Sequence, residues 1–279
     1  MRIREPVCEA PPDARLTCMP YASVNAARLY YETYGAGDDL IFLHGAGGNH
    51  LSWWQQLPDF AAHFRCIAFD ARGWGLSRGD VAVGRWAFGT DLVALMDHLG
   101  VERAHLVAQS MGGRAVAGLA RLAPHRVRSL VLSGTTAGAT NDRIREIQDE
   151  LRDARGGASL REHALAAAFQ SENPALALLY RQINLLNPAR PRGMLGRPPA
   201  TYRGSMHEPL AALGVPVMFI VGEHDRITSP EMIREASGLV ARSVFHEVPG
   251  AAHSAHFERA ADWNRAVLDF LVKSGDTGA

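Results

Sequence analysis

A chain of 279 residues, 47% of them hydrophobic, is long enough for one large domain or for a domain carrying a substantial insertion. Its 29 cationic and 29 anionic residues cancel, so no basic stripe points to nucleic acid and no polybasic segment to an anionic membrane. No apolar run approaches the roughly 18 residues of a membrane span, and the basic start Met1-Arg2-Ile3-Arg4-Glu5-Pro6 has no apolar stretch behind it, which argues against a signal peptide.

Residues 1–18 are rich in Pro, Glu, Asp and Arg without periodicity, the pattern of a flexible extension, and order is expected to begin near Met19-Pro20-Tyr21. Strand patterns follow over 27–34 and 40–44, and the Gly35-Ala36-Gly37-Asp38 between them reads as a hairpin-type connection. Residues 51–64 read as a helix, 65–70 as an apolar strand, and 87–99 as a helix with Leu92, Leu95, Met96 and Leu99 on one face. Residues 104–108 form a strand pattern, 111–122 a helix and 127–132 a strand. The alternation then breaks. From about 137 to 210 there are helical patterns without strands: a charged helix striped with Ile144, Ile147 and Leu151, then 160–169 and 175–186, closed by a Pro/Gly/Arg segment over 187–199. Strand and helix resume at 215–221, 230–239 and 243–248, with a last helix over 254–272.

Strands alternating with helices imply a mostly parallel sheet covered on both faces. Ligands of such sheets bind at the carboxyl ends of the strands. The strandless block would cover that edge as a helical cap. The expected organisation is an extension (1–18), a core (19–136 and 211–279) and a cap (137–210). The three cysteines, Cys8, Cys18 and Cys66, are scattered and odd in number, so no disulfide framework is expected and a reducing cytoplasm is the simpler setting. Lys273 is the one lysine, beside the C-terminus, which excludes imine-forming chemistry; no cofactor is expected.

Four candidate loops follow strand patterns. His44-Gly45-Ala46-Gly47-Gly48 follows Leu43, Ser110 follows the strand ending at Ala108, Asp225 lies in Gly222-Glu223-His224-Asp225 after Val221, and His253 ends Pro249-Gly250-Ala251-Ala252-His253 after Val248. Ala108-Gln109-Ser110-Met111-Gly112-Gly113, a serine between small residues at a strand-to-helix junction, is the pattern of a nucleophile elbow with alanine for the first glycine. Each loop also has a plainer reading. Ser110 could be an ordinary turn residue and Asp225 a helix cap, with Glu223 as a competing acid. His246 and His256 compete with His253. His253 and His256, three apart, lack a third ligand in any recognisable metal motif, so no metal is expected. Trp53 or Trp54 could line a pocket, one of them being core.

The His-Gly loop, the run Asp70-Ala71-Arg72-Gly73-Trp74-Gly75-Leu76-Ser77, the Ser-Met-Gly-Gly elbow, the Gly-x-x-Asp loop and the late histidine before Glu258 together resemble the α/β-hydrolase superfamily, from about Tyr21 to Leu271. Within it the chain looks like the small bacterial esterase, enol-lactonase and C–C hydrolase group. The resemblance implies a mostly parallel, eight-stranded α/β sheet flanked by helices, with the cap inserted after the sixth strand. It implies Ser110 as nucleophile, His253 as base and Asp225 as the acid orienting it. The oxyanion donors would be the backbone N–H groups of Met111 and Ala46, while His44 would support that loop and Asp70, Arg72 and Ser77 would organise theirs.

The resemblance also narrows the chemistry. Epoxide hydrolases and haloalkane dehalogenases carry aspartate at the elbow, against which Ser110 argues. Hydroxynitrile lyases use a lysine beside the histidine, where Ser254 stands. C–C hydrolases often show tryptophan after the histidine and an arginine in the cap; Ser254 departs from the first pattern, and Arg181, Arg190 and Arg192 leave the second open. The expected function is hydrolysis of a small carboxylic ester or lactone, with C–C bond hydrolysis, acyl transfer, cyclisation or ligand reception as alternatives. Ile144, Ile147, Leu151, Phe169, Leu179 and Ile183 suggest a largely apolar pocket, although most must pack the cap. A monomer or homodimer without nucleic-acid or membrane partners is expected.

Overall fold

The computed structural model describes residues 20–190, 194–195 and 207–275. The expected extension over 1–18, Arg192 and most of 187–199 beyond Arg190 lie outside the described residues. The strands are β1 (Tyr21–Val24), β2 (Ala27–Tyr34), β3 (Asp39–Leu43), β4 (Arg65–Phe69), β5 (Arg78–Gly79), β6 (Ala104–Gln109), β7 (Val127–Ser133), β8 (Val217–Gly222) and β9 (Ser243–Val248). Eight of them run in the order β1-β2-β4-β3-β6-β7-β8-β9, and the two-residue β5 pairs beside β2. The pairs from β4 through β3, β6, β7 and β8 to β9 are all parallel. The pairs that β2 makes with β1, β4 and β5 are antiparallel.

The central strands are continuous apolar runs because both their faces are buried. Alternate residues go to opposite sides. Ile41, Leu43, Leu106, Ala108, Leu130 and Leu132 pack in one core cluster, and Leu40, Phe42, Val107, Val131 and Ile220 in the other. The first cluster is closed by α2 (Ala87–His98), α3 (Gly113–Leu122) and α4 (Asp142–Ala154), the second by α1 (Leu57–Phe60) and the long C-terminal helix. Trp263 and Leu271 of that helix are wholly buried.

Several expectations are corrected. The segment between Tyr34 and β3 is not a hairpin, because β4 lies between β2 and β3. Gly35 (φ +76°) instead packs beneath the end of α1, where an added Cβ would stand 2.3 Å from the Ala61 carbonyl oxygen and 2.5 Å from that of Phe64. The expected helix over 51–64 is a 3₁₀ turn (His50–Trp53) followed by α1, which starts afresh at Leu57 with Pro58 in its first turn, a residue with no N–H to continue the preceding one. Residues 160–169 divide into a 3₁₀ turn (Leu160–His163) and α5 (Ala167–Glu172).

Three more helices follow, α6 (Pro174–Leu185), α7 (His207–Ala212) and α8 (Pro230–Gly238). The last expected helix divides at Arg259 into α9 (Ala255–Glu258) and α10 (Ala260–Gly275). Between β7 and β8 the described elements are all helical, so the insertion follows the seventh of nine strands rather than the sixth of eight. α4 lies on α8, and its Ile144 and Ile147 sink into the core rather than lining a pocket. Phe169 and Ile183 form a separate small cluster with Ala252 and Phe257.

Candidate active site

The elbow is built by close packing. β6 is buried along its whole length, and the chain turns at Ser110 with φ +47°, a left-handed conformation that costs a non-glycine residue on the order of 1–3 kcal/mol. Gly112 lies against β3 so tightly that a Cβ there would stand 2.4 Å from the Leu43 carbonyl oxygen. Ala108 is fully buried, so its small side chain meets the same demand. Ser110–Gly112 is a 3₁₀ turn running straight into α3. Met111 N–H is therefore among the leading donors of a helix, which have no acceptor within it.

His253 and Asp225 meet after β9 and β8. Asp225 Oδ2 accepts from His253 Nδ1 at 2.7 Å, with the Asp225 side chain fully buried and that of His253 nearly so. Asp225 Oδ1 accepts from the backbone N–H of Ile227 (2.7 Å) and Thr228 (2.9 Å), and Oδ2 from the Thr228 hydroxyl (2.9 Å). A carboxylate only accepts, so His253 carries its proton on Nδ1 and leaves the Nε2 lone pair free. Gly134, after β7, lies beside the ring; a Cβ there would be 3.1 Å from both Cε1 and Nδ1. Among the described residues the Ser110 hydroxyl makes no hydrogen bond, and the His253 ring is bonded only through Nδ1. Catalytic contacts of this kind often tighten only around substrate.

The competing residues face elsewhere. Glu223 accepts from Gly250 N–H at 2.8 Å on the surface. His256 lies in the core against Trp53, ring centroids 4.8 Å apart, and burial holds its pKa down at about 3. Trp53 is fully buried between Phe42, His256 and Trp263, which removes it as a pocket residue. Trp54 is 40% exposed and lies at the edge of Phe257.

The loop after β3 is oriented through one peptide. The Gly45 carbonyl accepts from His44 Nδ1 (2.8 Å) and Gly48 N–H (3.1 Å). His44 Nε2 accepts from Ala71 N–H at 3.0 Å, so Nδ1 carries the proton, and burial lowers the pKa of this wholly enclosed ring. The same peptide unit contributes Ala46 N–H. In a trans peptide C=O and N–H point oppositely, so the two bonds to the carbonyl aim Ala46 N–H away from the loop interior. A Cβ on Gly45 would stand 3.3 Å from Ser110 Cβ and collide with the Gln109 side chain, which places this peptide against the elbow. Gln109 Nε2 in turn donates to the His253 carbonyl at 3.3 Å.

Asp70 organises the adjoining loops, accepting from His50 N–H (2.6 Å), His50 Nδ1 (2.9 Å) and Leu76 N–H (2.6 Å). Ser77 donates to the Asp70 carbonyl and accepts from Tyr30 N–H. Arg72 forms a buried two-point pair with Asp91, Nε to Oδ2 at 2.8 Å and Nη2 to Oδ1 at 2.7 Å. Among the described residues no group of three or more His, Cys, Asp or Glu is placed to hold a metal ion.

The helical insertion reaches this site by contacts that sequence reasoning missed. Ser254 N–H donates to the Ala164 carbonyl at 3.0 Å, and Tyr180 Oη lies 2.9 Å from Ser254 Oγ. Glu258 accepts from Ala252 N–H (3.0 Å) and Ala166 N–H (2.8 Å), tying the loop of His253 to the insertion. Burial pushes the Glu258 carboxyl up to about 7, against the pull of those two donors, and the Asp225 charge adds to the rise. Arg190 stacks 3.5 Å over Trp74 and bonds the Gly73 and Pro188 carbonyls. No motif announces the partners that join the insertion to the rest, because those contacts link residues some seventy or more positions apart.

The model of the alpha/beta hydrolase fold family matches residues 39–260. BpoC of Mycobacterium tuberculosis, whose name describes a non-heme bromoperoxidase, is 30% identical over 262 residues, covering 88% of this chain and 97% of that one. The 2-hydroxy-6-oxononadienedioate/2-hydroxy-6-oxononatrienedioate hydrolase of Paraburkholderia phymatum is 29% identical over 267 residues, 88% of this chain and 91% of that one. A thermophilic esterase from Thermogutta terrifontis superposes with a TM-score of 0.75 at 26% identity, covering 89% of this chain and 94% of the other. With four strand-end loops converging on one edge of a parallel sheet, and a family model spanning most of the chain, the protein belongs to the α/β-hydrolase family.

Proposed function

We propose that the protein is a serine hydrolase that cleaves a carboxylic ester or lactone of a largely apolar small molecule through an acyl-enzyme. The observation that carries this reading is the Asp225–His253 pair, 2.7 Å apart, at the same sheet edge as a serine held at φ +47°. A serine hydroxyl needs an adjacent base to attack at neutral pH. His253 Nε2 takes the Ser110 proton as Oγ bonds to the acyl carbon, then delivers it to the leaving oxygen. Asp225 keeps the imidazole tautomer and stabilises its cation. Ala46 and Met111 N–H bind the oxyanion, where one donor is worth roughly 2.7–4 kcal/mol. The helical insertion acts as a cap over this edge, and Trp54 is the aromatic candidate for its pocket. The scattered cysteines, with Cys66 buried, suit a reducing cytoplasm.

Purified protein should hydrolyse short and medium-chain p-nitrophenyl esters, and Ser110→Ala should lower kcat by roughly 10⁴- to 10⁶-fold. Full activity in that variant would remove the nucleophile.

One observation favours a second reading, C–C bond hydrolysis. Arg190 has no carboxylate partner among the described residues and stacks on Trp74, whose ring lies 5.7 Å from that of His44, so it could hold an acidic substrate group. Arg181, by contrast, is exposed on α6. Faster turnover of a vinylogous dienone acid than of any ester would decide for this alternative.

A further inference from the structure

We propose that Asn187, just past α6 in the helical insertion, is a positioning residue for the oxyanion loop. This inference rests on the reading of Ala46 N–H as an oxyanion donor. Gly45-Ala46-Gly47-Gly48 is three-quarters glycine, and glycine leaves the backbone free to adopt many conformations. The bonds at the Gly45 carbonyl fix the peptide before Ala46 and, through Gly48 N–H, close a turn over 45–48, but they leave the Gly47 carbonyl to another partner. The next carbonyl beyond Ala46, that of Gly47, is held from the insertion: Asn187 Nδ2 donates to it at 2.7 Å.

The Asn187 amide is fully used. Nδ2 also donates to the Asn184 carbonyl at 3.1 Å, and Oδ1 accepts from Gly75 N–H at 2.8 Å. Gly75 is itself pinned, since a Cβ there would stand 2.1 Å from Asp70 Oδ2. One side chain therefore couples the oxyanion loop to the loop that Asp70 organises. Its neighbours reinforce the seat. Asn184 Oδ1 fills the space beside Gly47, 2.2 Å from where a Cβ would lie on a backbone at φ +94°, and Asn49 Nδ2 donates to the Ile183 carbonyl at 2.9 Å. Only a primary amide of this length supplies a donor to Gly47 and an acceptor to Gly75 together. Aspartate keeps the acceptor and sets a second oxygen against the Gly47 carbonyl; alanine loses both.

Removing an oxyanion donor outright typically lowers kcat by about 10²- to 10³-fold, so loosening one should lower it by about 10- to 100-fold. Asn187→Asp and Asn187→Ala should show that loss with KM within about threefold of wild type, because the interaction is made only in the transition state. A trifluoromethyl ketone gives a second readout. Ser110 Oγ bonds to its carbonyl carbon, the π pair moves to oxygen, and the hydroxyl proton passes to His253, leaving an oxyanion in the hole. Its affinity should fall in parallel with kcat, while that of an unreactive substrate-like amide stays constant. A merely structural role would lower thermal stability without moving this ratio. Wild-type kcat in the folded variants, or loss of folded protein in both, would overturn the proposal. Ser110→Ala, assayed alongside, separates the two failures: if it stays active the site reading falls, and if it is dead while the Asn187 variants match wild type, only this inference falls.

Discussion

Ser110 is held in its left-handed turn by neighbours that leave no room for larger groups, and its proposed chemistry depends on which acid faces His253. Four hydrogen bonds converge on Asp225, while Glu223 spends its carboxylate on a surface loop. Asp225→Asn should lower kcat by about 10⁴-fold through the wrong imidazole tautomer. Glu223→Gln should leave kcat within about twofold, as expected of a surface group. Steady-state kinetics on both variants checks the assignment, and a large loss in Glu223→Gln alone would reverse it. Ser110, Asp225, His253 and the His44 loop were legible in the sequence because each stands just past an apolar run and in a telling chain order. The choice between Trp53 and Trp54 was not. Adjacent aromatics at the end of a 3₁₀ turn obey neither the strand nor the helix period, and only the packing of Phe42, His256 and Trp263 around Trp53 decides it.

At the scale of elements, the expected helices break where their peptide groups serve distant partners. Ala164 and Ala166, between the 3₁₀ turn and α5, give a carbonyl to Ser254 and an N–H to Glu258. A local period cannot encode a partner some ninety residues away. Glu258 makes that junction sensitive to pH. Its folded pKa is raised to about 7 from an ordinary value of 4.5, so the folded state holds the proton more tightly. Its contribution to stability is complete below about pH 4.5 and is lost as pH rises through about 7. Glu258→Gln cannot titrate. The melting temperature of wild type relative to that variant should therefore be higher at pH 5 than at pH 8, and a difference independent of pH would contradict the shift.

The Arg72–Asp91 pair makes a second element-scale test. Both side chains are 3% exposed and join the loop after β4 to α2, with Asn25 of the β1–β2 turn bonded to each. Asp91→Leu should destabilise by about 3–5 kcal/mol, since it leaves a guanidinium buried without its partner, and the double change Arg72→Met/Asp91→Leu should recover most of that loss. Denaturant midpoints measure both.

Across the whole molecule, the parallel sheet was legible from its two-sided apolar strands, and its strand order was not. Gly35-Ala36-Gly37-Asp38 reads locally as a hairpin, because neither the place of β4 between β2 and β3 nor the fit of Gly35 beneath Ala61 and Phe64 leaves a mark within the segment. The helical insertion looks separate along the chain, yet it bonds to Ser254 and Glu258 beside His253 through Ala164, Ala166 and Tyr180 and to the loop after β3 through Asn187. The two halves of the proposed catalytic machinery thus bond to the same insertion. Everything proposed for that machinery depends on an activated Ser110. Intact-mass and peptide analysis after exposure of the folded protein to a fluorophosphonate tests it most directly. The account predicts one phosphonyl group per chain, on Ser110, with labelling abolished by Ser110→Ala and slowed by Asp225→Asn; a folded protein left unlabelled, or labelled on another residue, would contradict it.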